Sequence, residues 1–186
     1  MTKELTVVTE RVDDLPVLIG SQEKLGLAAL DQHIRVHGNW QGLRPGWVLT
    51  GWLTHILSEG DHRMNQVEDW AANSLATLRG SLGVAVCAAD FTDDRLAWLL
   101  EGLSDDETWA SLERALNQQT LRVYTLAPQC VRIDTTTASG YWEVTPEGVF
   151  QFGHSKDGRP DQPQVKVVLA TLDPLGMPVA TQVVSG

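Results

Sequence analysis

The hydrophobic pattern changes period once, near Gln118-Gln119-Thr120, and this change limits what the chain can fold into. Before it, apolar residues recur at the spacing of one helix face. After it, they alternate or run together in short β-prone stretches bounded by turn residues. Helices and strands segregated in this way belong to an α+β architecture with a boundary at the change. The reading is a helical domain over residues 1–120, followed by a β-rich segment over residues 121–186.

In the first part, Ser21 is placed to cap a helix reaching Ile34, with Leu27, Leu30 and Ile34 on one face and Gly38-Asn39 as its breaker. Pro45 suits the first turn of a second helix. Its run from Trp47 to Leu57 is interrupted only by Thr50, Gly51, Thr54 and His55, which predicts burial on most sides. Val67, Trp70, Ala71, Leu75 and Leu78 stripe a third helix that ends at Gly80. Thr92 opens a fourth, with Asp93 and Asp94 at its positive end and Leu96, Leu99, Leu100 and Leu103 on one side. Ser104 and Glu107 have the spacing of a capping box for a fifth helix carrying Trp109, Leu112 and Leu116. The seven Trp residues read as core or interface aromatics, because each buries a large area when packed.

Beyond the change, Val131-Arg132-Ile133 leads into Asp134, and further β-prone runs cover residues 149–153, 165–172 and 179–184. Pro146-Glu147-Gly148, residues 156–163 and Asp173-Pro174-Leu175-Gly176 are the turns. The simplest topology is an antiparallel meander of consecutive strands.

The formal charge is -10, and residues 121–186 hold five Lys/Arg and six Asp/Glu, which leaves nine against eighteen in residues 1–120. So acidic a region is repelled by phosphate backbones, which argues against bulk nonspecific nucleic-acid binding there. Cys87 and Cys130 form no CxxC pair, which argues against a disulfide framework or a thiolate zinc site. Residues 1–14 mix charges with no apolar run, unlike a signal peptide, and no apolar stretch reaches membrane-spanning length. A soluble cytoplasmic protein with no membrane partner is the expectation.

Asp134 is the first candidate for chemistry. Metal-dependent phosphoryl transfer needs carboxylates on rigid elements to hold two cations, and a strand end supplies that rigidity. Equally, an Asp that closes a strand can bind the backbone of its own Thr-rich turn. Asp157, Asp161 and Asp173 lie in Gly/Pro-rich turns and read as solvated. Lys156 and Arg159 are either donors to phosphate or a solvated hairpin tip. His33 and His37 stand four apart on a helix without a third ligand. His55, within the apolar run, reads as a satisfied core histidine, and His62 as a surface turn.

Taken in order, Ile133-Asp134-Thr135-Thr136-Thr137, Gly153-His154-Ser155-Lys156-Asp157, Arg159-Pro160-Asp161 and Pro174-Leu175-Gly176-Met177-Pro178 resemble insertion-sequence transposases of the DDE type, whose catalytic domain is RNase H-like. Residues 1–120 resemble the helical accessory domain, of unknown function, that precedes the catalytic domain in one group of them. One departure is Gln162, where the pattern has an apolar residue.

The resemblance implies a three-stranded antiparallel meander that is the incomplete start of an RNase H-like fold. It implies Asp134 as the first acid of a catalytic, Mg²⁺-binding triad, and Lys156 and Arg159 as DNA contacts. The second Asp and the Glu of that triad come later in the family chain and have no counterpart here. The expectation is therefore a truncated catalytic domain that is silent alone and binds Mg²⁺ only weakly. Its partners would be transposon-end DNA in the complete enzyme, another copy of itself, or full-length transposase that residues 1–120 engage as an interaction module or regulator.

Overall fold

The first helix begins earlier than Ser21. In a computed structural model, which describes residues 7, 9–34, 38–127, 130–155 and 158–186, α1 spans Leu15–Lys24 with Pro16 in its first turn. Proline's fixed φ and missing N–H suit that position, so the helix starts there. Ser21 lies inside α1, and its hydroxyl donates to the Val17 carbonyl at 2.8 Å instead of capping. The helix stops at Gly26, whose φ of +72° is open to glycine. A separate 3-10 turn, Leu27–His33, then replaces the expected continuation.

Helix α2, Pro45–Glu59, starts at the expected proline and is buried at Val48, Leu49, Thr50, Gly51, Trp52, Thr54 and His55. Its buried hydroxyls stay bonded within the core: Thr50 donates to the Gly46 carbonyl and Thr54 to the Thr50 carbonyl, each at 2.8 Å. Gln22 of α1 reaches across to donate to Thr54 Oγ1 at 2.8 Å, which joins the two helices through a polar contact. Gly51 is required by close packing, because a Cβ there would collide with the Phe91 ring.

The expected third helix divides at Ser74 into α3, Val67–Asn73, and α4, Leu75–Leu82. Glu10 explains how α4 gains its own start. Its carboxylate accepts the N–H groups of Ala76 and Thr77, each at 2.8 Å. Those two backbone bonds hold the Glu10 carboxyl below its ordinary range. Gly80 does not end α4, which continues to a left-handed Gly83.

Helix α5 spans Asp93–Leu103 and α6 spans Asp106–Val123. Ser104 caps the end of α5 by donating to the Glu101 carbonyl at 2.7 Å. It is Asp105, one position later, that accepts the Thr108 N–H at 2.9 Å and starts α6. A buried carboxylate, Asp90, pins the loop before α2 by accepting the N–H of Leu43 at 2.9 Å. Its other oxygen accepts the Cys87 N–H, also at 2.9 Å. Arg95 completes this corner, donating to the Gln41 and Leu43 carbonyls and lying 4.1 Å over the Trp40 ring.

Six α-helices and one three-stranded sheet account for the regular structure, 3-10 turns aside, among the described residues, an α+β arrangement. The chain divides into compact units, Met1–Val123 and Tyr124–Gly186. In the second unit β1, Val131–Ser139, pairs antiparallel with β2, Gln164–Leu172, which pairs antiparallel with β3, Met177–Ser185. The order β1-β2-β3 is the expected meander. Residues 149–153 do not form a strand of their own. Gln151 makes a single antiparallel bridge to Gln164, and Trp142 stacks on Phe150 at 4.3 Å in the long β1–β2 connection.

The two faces of the sheet follow from the register. Arg132, Asp134 and Thr136 share a face with Thr171, Leu169 and Val167, and through them with Thr181 and Val183. The opposite face carries Val131, Ile133, Ala170, Val168 and Val184. Apolar side chains thus occupy both faces, and Ile133 on one is 72% exposed while Val183 on the other is 57% exposed.

Candidate functional site

Asp134 stands inside β1, opposite Leu169, and the strand continues through Thr135 to Ser139. The expectation that it ends a strand is corrected. β-branched Thr135-Thr136-Thr137 favours extended backbone over a turn, so pairing with Val168, Val167 and Lys166 carries the strand onward. The Asp134 side chain is exposed, and Oδ1 accepts the N–H of Thr135 at 2.8 Å. A carboxylate on a paired strand is held rigidly by the ladder and can still meet a ligand from solvent.

Its nearest charged neighbour on the same face is Arg132, but that guanidinium is engaged elsewhere. Arg132 is the diagonal neighbour of Asp173 across the β1–β2 pair, and the two form an ion pair at 2.8 Å. The contact raises the Arg132 pKa, chiefly through its hydrogen bonds to Asp173. Asp173, expected to be merely solvated, therefore has a partner. Among the described residues no ion pair neutralises Asp134.

The donor set does not fit a resident Mg²⁺. Hard divalent cations take several oxygen ligands, and among the described residues no group of three His, Cys, Asp or Glu side chains could hold a metal ion. Asp134 offers one carboxylate, half-engaged by its own backbone neighbour, so no catalytic step follows from this chain through a metal. Arg159 is exposed in the β1–β2 connection and lies 3.7 Å from Asp161, so it stands free enough to change partner. Lys156 and Asp157 lie outside the described residues.

The histidines separate cleanly. His33 is committed to structure, with Nδ1 2.8 Å from Ser111 Oγ of α6 and Nε2 3.2 Å from Gln32. Its proposed companion, His37, lies outside the described residues. His55 departs from its reading as a satisfied core residue: it is buried, yet neither ring nitrogen has a hydrogen-bond partner among the described residues. Burial pushes its imidazole below the ordinary range, opposed by the nearby Asp61 and Glu59 carboxylates. A lone titratable residue in the apolar run from Trp47 to Leu57 was the sequence signal for it, and periodicity alone could not show that the partner was missing.

Among the described residues no helix is long and apolar enough to cross a membrane. No family model, curated protein or solved structure matches the chain.

Proposed function

We propose that this chain corresponds to the N-terminal portion of a DDE-type insertion-sequence transposase: a helical accessory region followed by the opening strands of an RNase H-like catalytic domain. The observation that carries the reading is Asp134, an exposed carboxylate with no ion-pair partner among the described residues, on the first strand of an antiparallel meander that carries apolar side chains on both faces. A sheet with apolar side chains on both faces suits a fold in which further layers cover each face. The outer edge of β1 supports the same reading. A strand added there would run about 4.8 Å from β1 and could bring a second carboxylate beside Asp134. Such proximity of acids is what two-metal phosphoryl transfer demands.

In the complete enzyme Asp134 would ligate Mg²⁺, and Lys156 and Arg159 would contact transposon-end DNA. The 186-residue chain by itself is expected to be silent. The decisive experiment reads the source DNA beyond codon 186 and assays the extended protein on end-containing DNA. A continuation with a strand-borne Asp and a later helical Glu, and Mg²⁺-dependent cleavage abolished by Asp134→Asn, is the expected result. Cleavage that survives Asp134→Asn would sink the role of Asp134, and Mg²⁺-dependent cleavage by the 186-residue chain would sink its silence.

A second reading, of a different class, makes residues 1–120 an interaction module for full-length transposase. Its support is apolar surface on the helices, where Leu100 of α5 and Trp109 of α6 are both exposed. Co-elution of the chain with an intact transposase in size-exclusion chromatography is expected, and separate elution would end the idea.

A further inference from the structure

The helical unit contains a cleft of about 410 Å³ where the segment before α1, the end of α2 and α3 converge. Buried Leu15 and His55 line it together with Trp70, whose ring meets the imidazole edge-on at a centroid distance of 5.1 Å. Its charged lining is Arg11, Asp13, Glu59, Asp61 and Asp69. Arg11 pairs with Asp13, and Arg63 holds Asp61 at 2.7 Å. Glu59 and Asp69 remain exposed, and neither has an ion-pair partner among the described residues.

An acidic opening alone would be an ordinary solvated surface. The independent observation is His55, which is 2% exposed and keeps both ring nitrogens without a hydrogen bond among the described residues. A buried polar group left unbonded costs free energy, which a ligand that bonds it would recover. We propose that this cleft binds the guanidinium group of an arginine presented by a partner protein. The planar cation offers several N–H donors in one plane, one of them to an imidazole lone pair, while its face can lie on Trp70. Glu59 and Asp69 then meet its charge.

Other ligand classes fit less well. A metal ion would lack a set of three ligating side chains among the described residues. A phosphate would be repelled by the unpaired carboxylates. A lysine ammonium is a compact point charge without the planar fork that would bridge imidazole and carboxylate. The assignment is independent of the transposase reading, since it uses only the helical unit and none of the residues around Asp134.

The test titrates the whole chain with the peptide acetyl-Gly-Arg-Gly-amide and follows the His55 ring nitrogens and the Trp70 indole by NMR. A counterpart with citrulline, equal in shape but uncharged, is the control. Saturable shifts at both residues with the arginine peptide, and none with citrulline, are expected. Glu59→Gln and Asp69→Asn sit on the surface and should leave the fold intact by circular dichroism. Each is expected to weaken binding about threefold, the size of a solvent-exposed charge contact. Equal shifts from both peptides, no shift from either, or unchanged affinity in both variants would each overturn the assignment. So would a Zn²⁺ titration that moves the His55 ring when the arginine peptide does not.

Discussion

The helical unit and the sheet unit handle apolar surface in opposite ways. Around α2, side chains from five other helices and the intervening turns close over one another, and Val48, Val67, Phe91 and Leu96 have no exposure at all. In the sheet the same residue types stand on both faces, and Ile133, Val183 and Val131 remain largely open to solvent. Backbone pairing runs along β2 on both sides, with β1 throughout and with β3 apart from a register shift at Ala170/Thr171, so hydrogen bonding is not what chiefly distinguishes the units. The difference teaches that a satisfied ladder and a satisfied core are separate achievements, and that the sheet has only the first.

Truncating matched side chains gives the largest expected contrast. Phe91→Ala should cost about 3–5 kcal/mol through lost burial and a cavity, while Ile133→Ala should stay within about 0.5 kcal/mol. Urea unfolding measures both, and comparable losses would break the comparison. A glycine pair sharpens it within the helical unit. Gly51→Ala drives a methyl into Phe91 and should cost about 1–3 kcal/mol. Gly80→Ala, inside α4 with open space around it, should instead gain about 0.4–1 kcal/mol.

A pH series probes one polar flaw in the helical core. His55 is held neutral by burial, its folded pKa lying below the ordinary imidazole value of 6.5, so the unfolded chain binds the proton first as pH falls. Stability present above that value is therefore lost as pH drops through it towards the folded pKa. Thermal melts from pH 8 to 5 should show this decline, and His55→Phe should flatten it; an identical slope in the variant would assign the effect to other groups. The smallest effect belongs to the sheet. Asp134→Asn should leave the unfolding midpoint unchanged, because the carboxylate is exposed and holds only its neighbour's N–H. Hydrogen exchange completes the series, with β1 and β3 expected to exchange faster than α2, unless the chain self-associates along an open strand edge.

Much of the fold was legible because its signals are local. The change of hydrophobic period, Pro45 at the start of α2, Thr92 before α5 and the turn at residues 173–176 all act through neighbouring backbone, so spacing reveals them. Some errors arose where a distant residue decides, and others where two neighbouring signals compete. Glu10 restarts the chain as α4 from 66 positions away, and nothing near Ser74 announces it. Asp105 outcompetes Ser104 as the cap of α6 because the serine is already bonded to α5. The candidate site divides in the same way. The sequence singled out Asp134 but put it at a strand end, whereas its mid-strand position and the Arg132–Asp173 pair depend on register, and the unbonded imidazole of His55 on tertiary packing.

The Arg132–Asp173 contact has a consequence for which side of the sheet Asp134 presents. A one-residue slip between strands exchanges their faces, and in most sheets the exposure of a hydrophobic stripe forbids it. Here both faces carry apolar side chains, so a slip would meet less such resistance. The ion pair joins residues that share a face only in the observed alignment, and it sits two positions from Asp134 on the same strand. A surface pair too weak to matter for stability can thus act as a detent, fixing the side from which the carboxylate is reached.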